Sequence, residues 1–222
     1  MPRKLNRKPS RKQTSQIVDN KTSRGGRSKL GEVRIIGGDW RGRKLPVLQS
    51  DGLRPTSDRV RETIFNWLQF DIAGANCLDV FAGSGALGFE ALSRGAKSAT
   101  FLELSMPAVK QLQRNLQLLK ASNAQVIQGD SLQWLDKPAE QHFDLIFLDP
   151  PFNQDLMQQA VDKLFISGIV SSGDDDGGQK RPVWLYIEQE KLLDWPKLPE
   201  GWGCHREKLT SQVRFGLFCY QG

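Results

Sequence analysis

Cysteine, histidine and long apolar runs are scarce in this 222-residue sequence, and each shortage narrows the class of protein. The three cysteines, Cys77, Cys204 and Cys219, lie far apart and form no C-x-x-C pair, which argues against a disulfide scaffold and a structural zinc site. The two histidines stand alone, so we predict no metal site. No apolar stretch can span a bilayer, and the basic N-terminus lacks the apolar core of a secretory signal, so we expect a cytoplasmic protein.

Positive charge is concentrated at the start of the chain. The net charge is +6, but residues 1–30 contain ten Lys or Arg against one acid, Asp19, which is +9 and leaves −3 for residues 31–222. The segment has almost no large apolar side chains and cannot bury enough surface to order itself, so we predict a disordered basic arm. Such an arm is attracted to phosphate; a solubilising tail is the alternative.

The stretch 33–70 predicts a small extension ahead of the main domain. Apolar residues around Val33 and Leu45 flank Gly37-Gly38 and a basic turn, which is typical of a hairpin of two short strands. Apolar residues then recur at helical spacing behind a polar cap, which predicts an amphipathic helix over 57–69. We assign this hairpin and helix to one domain that covers residues 31–222.

From residue 76 onward, strands and helices alternate, which favours a mainly parallel sheet covered on both faces. We predict seven strands, the last two of them a hairpin that makes one strand antiparallel, and a surface loop at 171–182. The predicted strands are 77–81, 98–102, 125–127, 143–148, 183–188, about 203–209 and 213–220, and the predicted helices are 86–94, 107–120 and about 154–165.

A glycine-rich segment follows the first of these strands. Gly83, Gly85 and Gly88 fit G-x-G-x-x-G between a strand and a helix. Glycine allows a sharp turn and lets a ligand approach the backbone without a Cβ in the way. The spacing alone does not separate a nicotinamide site from a site for S-adenosylmethionine.

Two further acids follow the next two strands. A carboxylate at Glu103 can accept hydrogen bonds from both hydroxyls of a ribose. Asp130-Ser131 follows the third strand, where methyltransferases of this architecture place an acid that faces the adenine amino group; Asp130 as the cap of a short helix is the alternative. These residues are candidate cofactor ligands.

The tetrapeptide Asp149-Pro150-Pro151-Phe152 ends the fourth strand and carries most of the functional argument. The prolines fix the backbone and remove two N–H donors, so the local carbonyls can act as acceptors. Asp149 adds a further acceptor, and Phe152 offers a flat ring on which a base can stack. This combination suits an amino group on a planar ring, and a nicotinamide-dependent oxidoreductase has no use for it.

Three segments together closely resemble the RsmD family, bacterial 16S rRNA guanine-N2 methyltransferases within the class I, Rossmann-like enzymes that have a D/N-P-P-Y/F motif. The segments are 36–45 (IGGDWRGRKL), 54–68 (RPTSDRVRETIFNWL) and 147–152 (FLDPPF). The resemblance covers about 33–220 and leaves out the basic arm and an acidic insertion at 174–176.

The resemblance implies an activity and its ligands. The expected reaction is methyl transfer from S-adenosylmethionine to one guanine of small-subunit rRNA, in an assembled or assembling subunit, by a monomer. Residues 149–152 are expected to hold the target base. The residues expected to hold the cofactor are Asp79, Gly83, Gly85, Glu103 and Asp130, with Ser131 beside them.

The basic residues of the extension are candidate RNA contacts. The hairpin can fix the register of the RNA beside the active site. The arginines that follow the hairpin, in and just before the predicted helix, can extend this surface or pair with Asp58 or Glu62. The candidates are Arg34, Trp40, Arg41, Arg43, Lys44, Arg54 and Arg59, with Arg61 as a further possibility.

Other functions remain open on the residues alone. An adenine-N6 or glutamine-N5 methyltransferase would share every motif except the N-terminal segment. A nicotinamide-dependent oxidoreductase explains the glycines and Glu103 but not residues 149–152. A non-catalytic RNA-binding protein would use the basic arm and an inert fold.

Overall fold

A computed structural model of the chain describes residues 30–48, 56–138, 141–152, 155–170 and 181–221. Residues 1–29 of the predicted arm, Arg54 and residues 171–180 of the predicted loop lie outside these ranges. The described strands are β1 (Leu30–Arg34), β2 (Lys44–Leu48), β3 (Asn76–Asp79), β4 (Ser98–Glu103), β5 (Ala124–Gln128), β6 (Leu145–Leu148), β7 (Trp184–Glu190), β8 (Trp202–Leu209) and β9 (Val213–Tyr220). The described helices are α1 (Asp58–Trp67), α2 (Ala86–Ser93), α3 (Met106–Leu119), α4 (Ser131–Leu135) and α5 (Leu156–Ile166).

Seven strands form one sheet in the order β5-β4-β3-β6-β7-β9-β8. The first five pair in parallel, β9 is antiparallel to β7, and β8 is antiparallel to β9, so β9 alone of the seven opposes the others. This confirms the predicted mainly parallel sheet with one antiparallel strand. The order of the strands reverses between β3 and β6, and ligands of open α/β sheets bind at such a reversal, outside the carboxyl ends of the strands.

The short apolar run of β6 shows why the sheet is covered on both faces. Leu145 and Phe147 belong to the core cluster that includes residues of α1, α2 and α3, whereas Ile146 and Leu148 belong to the cluster that includes residues of α4 and α5. Successive strand residues point to opposite faces. A strand buried on both sides is therefore apolar at every position.

Most predicted elements lie within two residues of the observed ones, and the differences have local causes. The predicted 143–148 strand begins at Leu145; Asp144 just before it still bonds to Asn76, through its backbone N–H and through its carboxylate, which accepts from the Asn76 N–H at 2.7 Å. Pro107 is the second rather than the first residue of α3. The predicted cap of α1 is present, with the Ser57 hydroxyl accepting from the Val60 N–H at 3.3 Å.

A buried carboxylate attaches the N-terminal hairpin to the sheet domain. Glu90 of α2 is fully buried and accepts hydrogen bonds from the backbone N–H groups of Ile36 and Gly37, both at 2.8 Å. It also accepts from Arg94 Nε at 2.8 Å and lies 3.5 Å from Arg61 Nη1 of α1. One side chain thus joins the hairpin turn, α1 and α2.

The glycine pair in the hairpin turn allows the close contact with α2. Gly38 has a φ of +73°, and a Cβ at this position would lie 1.7 Å from the carbonyl oxygen of Ser93. The Ser93 hydroxyl donates to the Gly37 carbonyl at 2.6 Å and accepts from the Trp40 N–H at 2.9 Å. Any side chain at residue 38 would separate the turn from the helix.

We predict that Glu90→Ala destabilises the fold by about 3–5 kcal/mol, because it leaves the Arg61 guanidinium buried with one partner fewer and two backbone N–H groups unsatisfied. The matched control is Glu32→Ala, whose partner Lys44 lies at 2.8 Å but whose side chain is 60% exposed. That variant should lose less than about 1 kcal/mol. Urea unfolding measures both; equal losses would contradict the role of Glu90.

Candidate active site

Acidic side chains gather at the carboxyl edge of the parallel strands. Asp79 and Glu103 are the last residues of β3 and β4, Asp130 follows β5 by two residues, and Asp149 follows β6 directly. The structure thus brings together, at one edge of the sheet, four acids that are dispersed over seventy residues of sequence. This edge includes the reversal point between β3 and β6.

The glycine-rich turn is tied to the neighbouring strand by Glu103. The Gly83 N–H donates to Glu103 Oε2 at 2.8 Å, and the Ser105 N–H donates to Oε1 at 2.7 Å. Each carboxylate oxygen retains a further acceptor site, because a carboxylate oxygen has two lone pairs. Glu103 is partly exposed, so its remaining lone pairs are accessible.

Packing gives the other two glycines of the motif a role that the sequence interpretation did not include. Gly85 has a φ of +75°, and a Cβ there would lie 2.5 Å from Leu112 and 2.6 Å from Phe89. A Cβ on Gly88 would lie 2.3 Å from the ring of Phe101. A larger residue at either position would therefore clash with side chains of the core.

Asp79 is a buried acid with an altered proton affinity. Its side chain accepts a hydrogen bond from the Gly88 N–H at 3.2 Å and is almost completely shielded from solvent. Burial raises the pKa of Asp79 from 3.8 to about 7; the Gly88 hydrogen bond opposes this shift and the nearby charge of Glu103 adds to it. A ligand that donates to this carboxylate would stabilise its ionised form.

Asp130 and Ser131 both make structural bonds. Asp130 Oδ1 accepts from the N–H groups of Leu132 and Gln133, at 2.8 and 3.1 Å, and so caps α4 as the alternative interpretation predicted. The buried Ser131 hydroxyl donates to the Val80 carbonyl at 2.5 Å. Within the described ranges no residue donates to Asp130 Oδ2, so this oxygen can serve a ligand while Oδ1 caps the helix.

The Asp149–Phe152 motif follows β6 and contacts the N-terminal extension. Asp149 Oδ2 accepts from the Thr56 hydroxyl, which lies just before α1, at 3.1 Å. Burial raises the pKa of Asp149 well above its ordinary value; the charges of Glu188 and Asp79 raise it further and the Thr56 hydrogen bond opposes them. Pro150 is buried, whereas Pro151 is exposed and Phe152 is partly exposed.

Sequence reasoning missed three polar residues beside Asp149. Thr56 lies within the segment that carries the family resemblance; the sequence predicts it as part of the polar cap before the 57–69 helix and does not indicate a contact with Asp149. Glu188 and Tyr186 belong to β7, and the Tyr186 hydroxyl donates to Glu188 Oε2 at 2.5 Å in a buried setting. The available signal was an acid near the end of a buried strand, the same signal that indicated Glu103.

The basic residues of the hairpin are mostly exposed. Arg34, Arg41, Arg43 and Lys44 have exposed side chains, and Lys44 pairs with Glu32. Trp40 is half-buried and packs against the core. An open groove of about 570 Å³ separates the hairpin from α1; its charged lining comprises Arg34, Arg41, Asp58, Arg59 and Glu62.

Arg61 does not contribute to this surface. It is buried, and its Nη2 donates to Asp58 Oδ1 at 2.7 Å and to the Arg34 carbonyl at 2.8 Å. The alternative that some arginines of α1 pair with neighbouring acids is thus correct for Arg61. Arg59 is exposed, as an RNA contact requires.

The part of the chain that the structure describes contains neither a membrane-spanning helix nor a cluster of metal ligands. No helix there is both long and apolar enough to cross a membrane. Within the same residues, no group of three or more His, Cys, Asp and Glu side chains is arranged to hold a metal ion.

The strand order, the glycine-rich turn after β3 and the acids at the strand ends define a class I, Rossmann-like methyltransferase fold. The conserved hypothetical protein 95 family matches residues 33–219. Relatives called ribosomal RNA small subunit methyltransferase D are 52% identical in Haemophilus influenzae, over 85% of this chain and 94% of the relative, and 46% identical in Escherichia coli K12, over 85% and 90%.

A solved structure from Escherichia coli, provisionally described as a methyltransferase, matches with a TM-score of 0.75 at 43% identity. The match covers 86% of this chain and 99% of that protein. The chain belongs to the RsmD family, which confirms the resemblance carried by its three sequence segments.

We predict that Asp79→Asn stabilises the ligand-free protein at high pH. A raised pKa means that the folded state binds the Asp79 proton more tightly than the unfolded chain, so this stabilisation is complete below pH 3.8 and is lost as the pH rises to about 7. Asparagine removes the buried charge and can still accept from Gly88. The gain at pH 8 should be about 2–4 kcal/mol.

Urea unfolding at pH 5 and pH 8 measures this gain, which should be smaller at pH 5. The control is Asp162→Asn, which removes a charge from an exposed position of α5. An equal gain at both pH values, or none at pH 8, would show that Asp79 is not a strained buried acid.

Proposed function

We propose that this protein is an rRNA methyltransferase that transfers a methyl group from S-adenosylmethionine to the N2 amino group of a guanine in small-subunit rRNA. The observation that carries the proposal is the position of Asp149-Pro150-Pro151-Phe152, directly after β6 and beside the acids that end β3 and β4. The names of the Haemophilus and Escherichia relatives support small-subunit rRNA as the substrate.

The residues at the carboxyl edge fit the proposed cofactor. Glu103 offers lone pairs to ribose hydroxyls, and Asp130 Oδ2 can accept from an adenine amino group while Oδ1 caps α4. Leu104, directly after Glu103, and Met106, the first residue of α3, are 64% and 46% exposed and offer apolar surface for a planar ring. When bound, S-adenosylmethionine supplies an electrophilic methyl group on a positively charged sulfur, and Asp79 adds negative charge to the same edge.

The tetrapeptide supplies the contacts for the target base. Guanine N2 is a poor nucleophile because its lone pair is delocalised into the ring. Asp149 and the Pro150 carbonyl can accept the amino hydrogens and stabilise positive charge that develops on the nitrogen. Phe152 can stack on the base, which must leave its helix or lie unpaired to enter the site. Holding the amino nitrogen in line with the methyl carbon and the sulfur would further increase the rate of transfer.

The N-terminal extension is proposed to bind the surrounding RNA. Arg34, Arg41 and Arg43 project from a hairpin that Glu90 fixes to α2, so their positions relative to the active site are set. The basic arm, with its charge of +9 over residues 1–30, would add contacts to phosphate without selecting the nucleotide. We place this activity in the cytoplasm, with a monomer acting on small-subunit rRNA in an assembled or assembling subunit.

Methylation of an adenine-N6 or a glutamine-N5 is the second candidate, because the tetrapeptide suits either amino group. The fixed basic hairpin favours RNA over a protein glutamine. The nature of the methylated product separates the candidates directly.

We predict that the wild-type protein produces N2-methylguanosine in small-subunit RNA taken from cells that lack the activity. Free RNA and the assembled subunit are tested side by side, with nucleoside mass spectrometry as the readout. Asp149→Ala should lower turnover by about 10²–10³-fold, the effect of removing one acceptor from a developing charge. Its affinity for S-adenosylmethionine should change little, because Asp149 is assigned to the target base.

The control for Asp149→Ala is Asp162→Ala on the exposed face of α5, which should retain full activity. A product methylated on adenine would refute the guanine assignment. Near-normal turnover of Asp149→Ala would remove its role in the reaction.

The basic hairpin generates a separate prediction. Arg41→Gln with Arg43→Gln should lower the slope of log affinity against log salt by about 1.4, since each phosphate contact to single-stranded RNA contributes roughly 0.7. The matched control is Lys120→Gln with Lys197→Gln, which removes two exposed charges that lie outside the hairpin and α1. If both pairs change the slope equally, RNA binding is not localised on the hairpin.

A further inference from the structure

Asp149 has an acidic neighbour on the adjacent strand. In the parallel pair of β6 and β7, Leu148 lies opposite Ile187, so the next residues, Asp149 and Glu188, occupy corresponding positions at the same edge. Strand neighbours lie about 4.8 Å apart, and residues at corresponding positions point to the same face. Leu148 and Ile187 belong to one core cluster, so Asp149 and Glu188 face the other side of the sheet.

Each of these two carboxyl groups is held by a hydroxyl donor. The Thr56 hydroxyl donates to Asp149 Oδ2 at 3.1 Å, and the Tyr186 hydroxyl donates to Glu188 Oε2 at 2.5 Å. Glu188 is 6% exposed and Tyr186 is fully buried. These hydrogen bonds restrain both side chains, so the two carboxyl groups are held in fixed positions beside each other.

The other groups around the pair are acidic, neutral or already paired: α1 packs on the same face, and its buried Arg61 is bound to Asp58 and Glu90. Asp79 of β3 lies near enough to act on Asp149 electrostatically, and β9 places Phe215 opposite Glu188. Arg214 lies at the next position of β9, opposite Gln189 and therefore toward the other face, where it stacks on Trp195. Lys208 of β8 pairs with Phe215, one strand further from Glu188, and lies over the Trp67 ring.

We propose that Glu188 is a positioning residue that increases the proton affinity of Asp149, so that the two carboxyl groups together accept the proton released by the methylated amino group. This inference rests on the proposed function. An isolated carboxylate is a weak base, and a second buried carboxylate beside it favours protonation of one member of the pair. The arrangement therefore gives a carboxyl group the basicity that the reaction requires.

The proton step balances without any further reactant. When the guanine N2 has formed its bond to the methyl carbon, it carries a positive charge and two hydrogens. One N–H bond breaks, its electron pair returns to nitrogen, and the proton joins an oxygen of Asp149. The pair then holds one proton and one negative charge, and the proton leaves to solvent after the base has departed.

The electrostatics of the site support this assignment. Burial and the charge of Glu188 both raise the pKa of Asp149, and burial raises the pKa of Glu188, whereas the Tyr186 hydrogen bond lowers it. Because the reactive form must be able to accept a proton, the transfer rate should rise with pH as the pair loses its last proton. The two acids titrate as a pair, so the midpoint of this rise belongs to both.

The test measures single-turnover methyl transfer against pH for the wild type and for Glu188→Gln. Glutamine keeps the shape and can still accept from Tyr186, but it removes the neighbouring charge. The pKa of Asp149 then falls, so the rising limb of the profile should move to lower pH by about 1–3 units. Glu200→Gln, at an exposed position of the same chain, should leave the limb unchanged.

Tyr186→Phe is an independent variant that should shift the rising limb of the pH profile in the opposite direction. It removes the hydrogen bond that favours ionised Glu188, so the last proton of the pair is held more tightly and the limb should move to higher pH. Cofactor binding and thermal unfolding confirm that each variant is folded. If Glu188→Gln does not fold, Tyr186→Phe alone tests the proposal: a shift of the limb to higher pH supports it, and no shift or a shift to lower pH contradicts it.

An unchanged limb in the folded Glu188→Gln variant, or a shift of both variants in one direction, would overturn the proposal. A merely structural Glu188 would lower the amplitude of the profile and leave its midpoint in place. These outcomes are distinct from failure of the proposed function, in which the wild type would produce no N2-methylguanosine at any pH.

Discussion

The burial of the Glu90 carboxylate is the constraint on which the arrangement of the N-terminal extension depends. This side chain binds the hairpin turn through two backbone N–H groups and meets Arg61 from α1. The start of α1 then places Thr56 against Asp149. A residue in the middle of α2 thereby connects the basic hairpin to Asp149 at the end of β6, because a buried charge is stable only when it has hydrogen-bonding partners.

Concentrating acids at one edge of a sheet has an energetic cost in the absence of ligand. Asp79 and Glu188 are buried, Asp149 is partly buried beside them, and the pKa of each is raised. The fold tolerates this because the two apolar clusters on either side of the sheet supply stability elsewhere. Sites of this kind lower the stability of the ligand-free fold. A ligand that is positively charged or donates hydrogen bonds would stabilise the ionised acids and offset this loss.

The architecture was predictable because it follows from periodicity and turn chemistry, whereas several side-chain roles depend on distant contacts. The apolar run of β6 and the alternation around it indicate a parallel sheet covered on both faces. Nothing local marks Glu90 as buried, since an acid in a helix is ordinarily exposed, and the hairpin N–H groups that it binds lie more than fifty residues away. The spacing of the glycines predicts a ligand at Gly85 but does not reveal that Leu112 and Phe89 also pack against this position.

The clearance between Gly38 and the Ser93 carbonyl has a consequence for selectivity. A turn seated this closely cannot pivot about α2 without losing its hydrogen bonds, so the position of the hairpin is fixed relative to α2 and the sheet that α2 covers. The conformational entropy of this surface is lost when the protein folds, so binding a partner costs little further entropy. Under the proposed function, a surface fixed in this way would admit a nucleotide only at a set distance from the RNA backbone that it contacts.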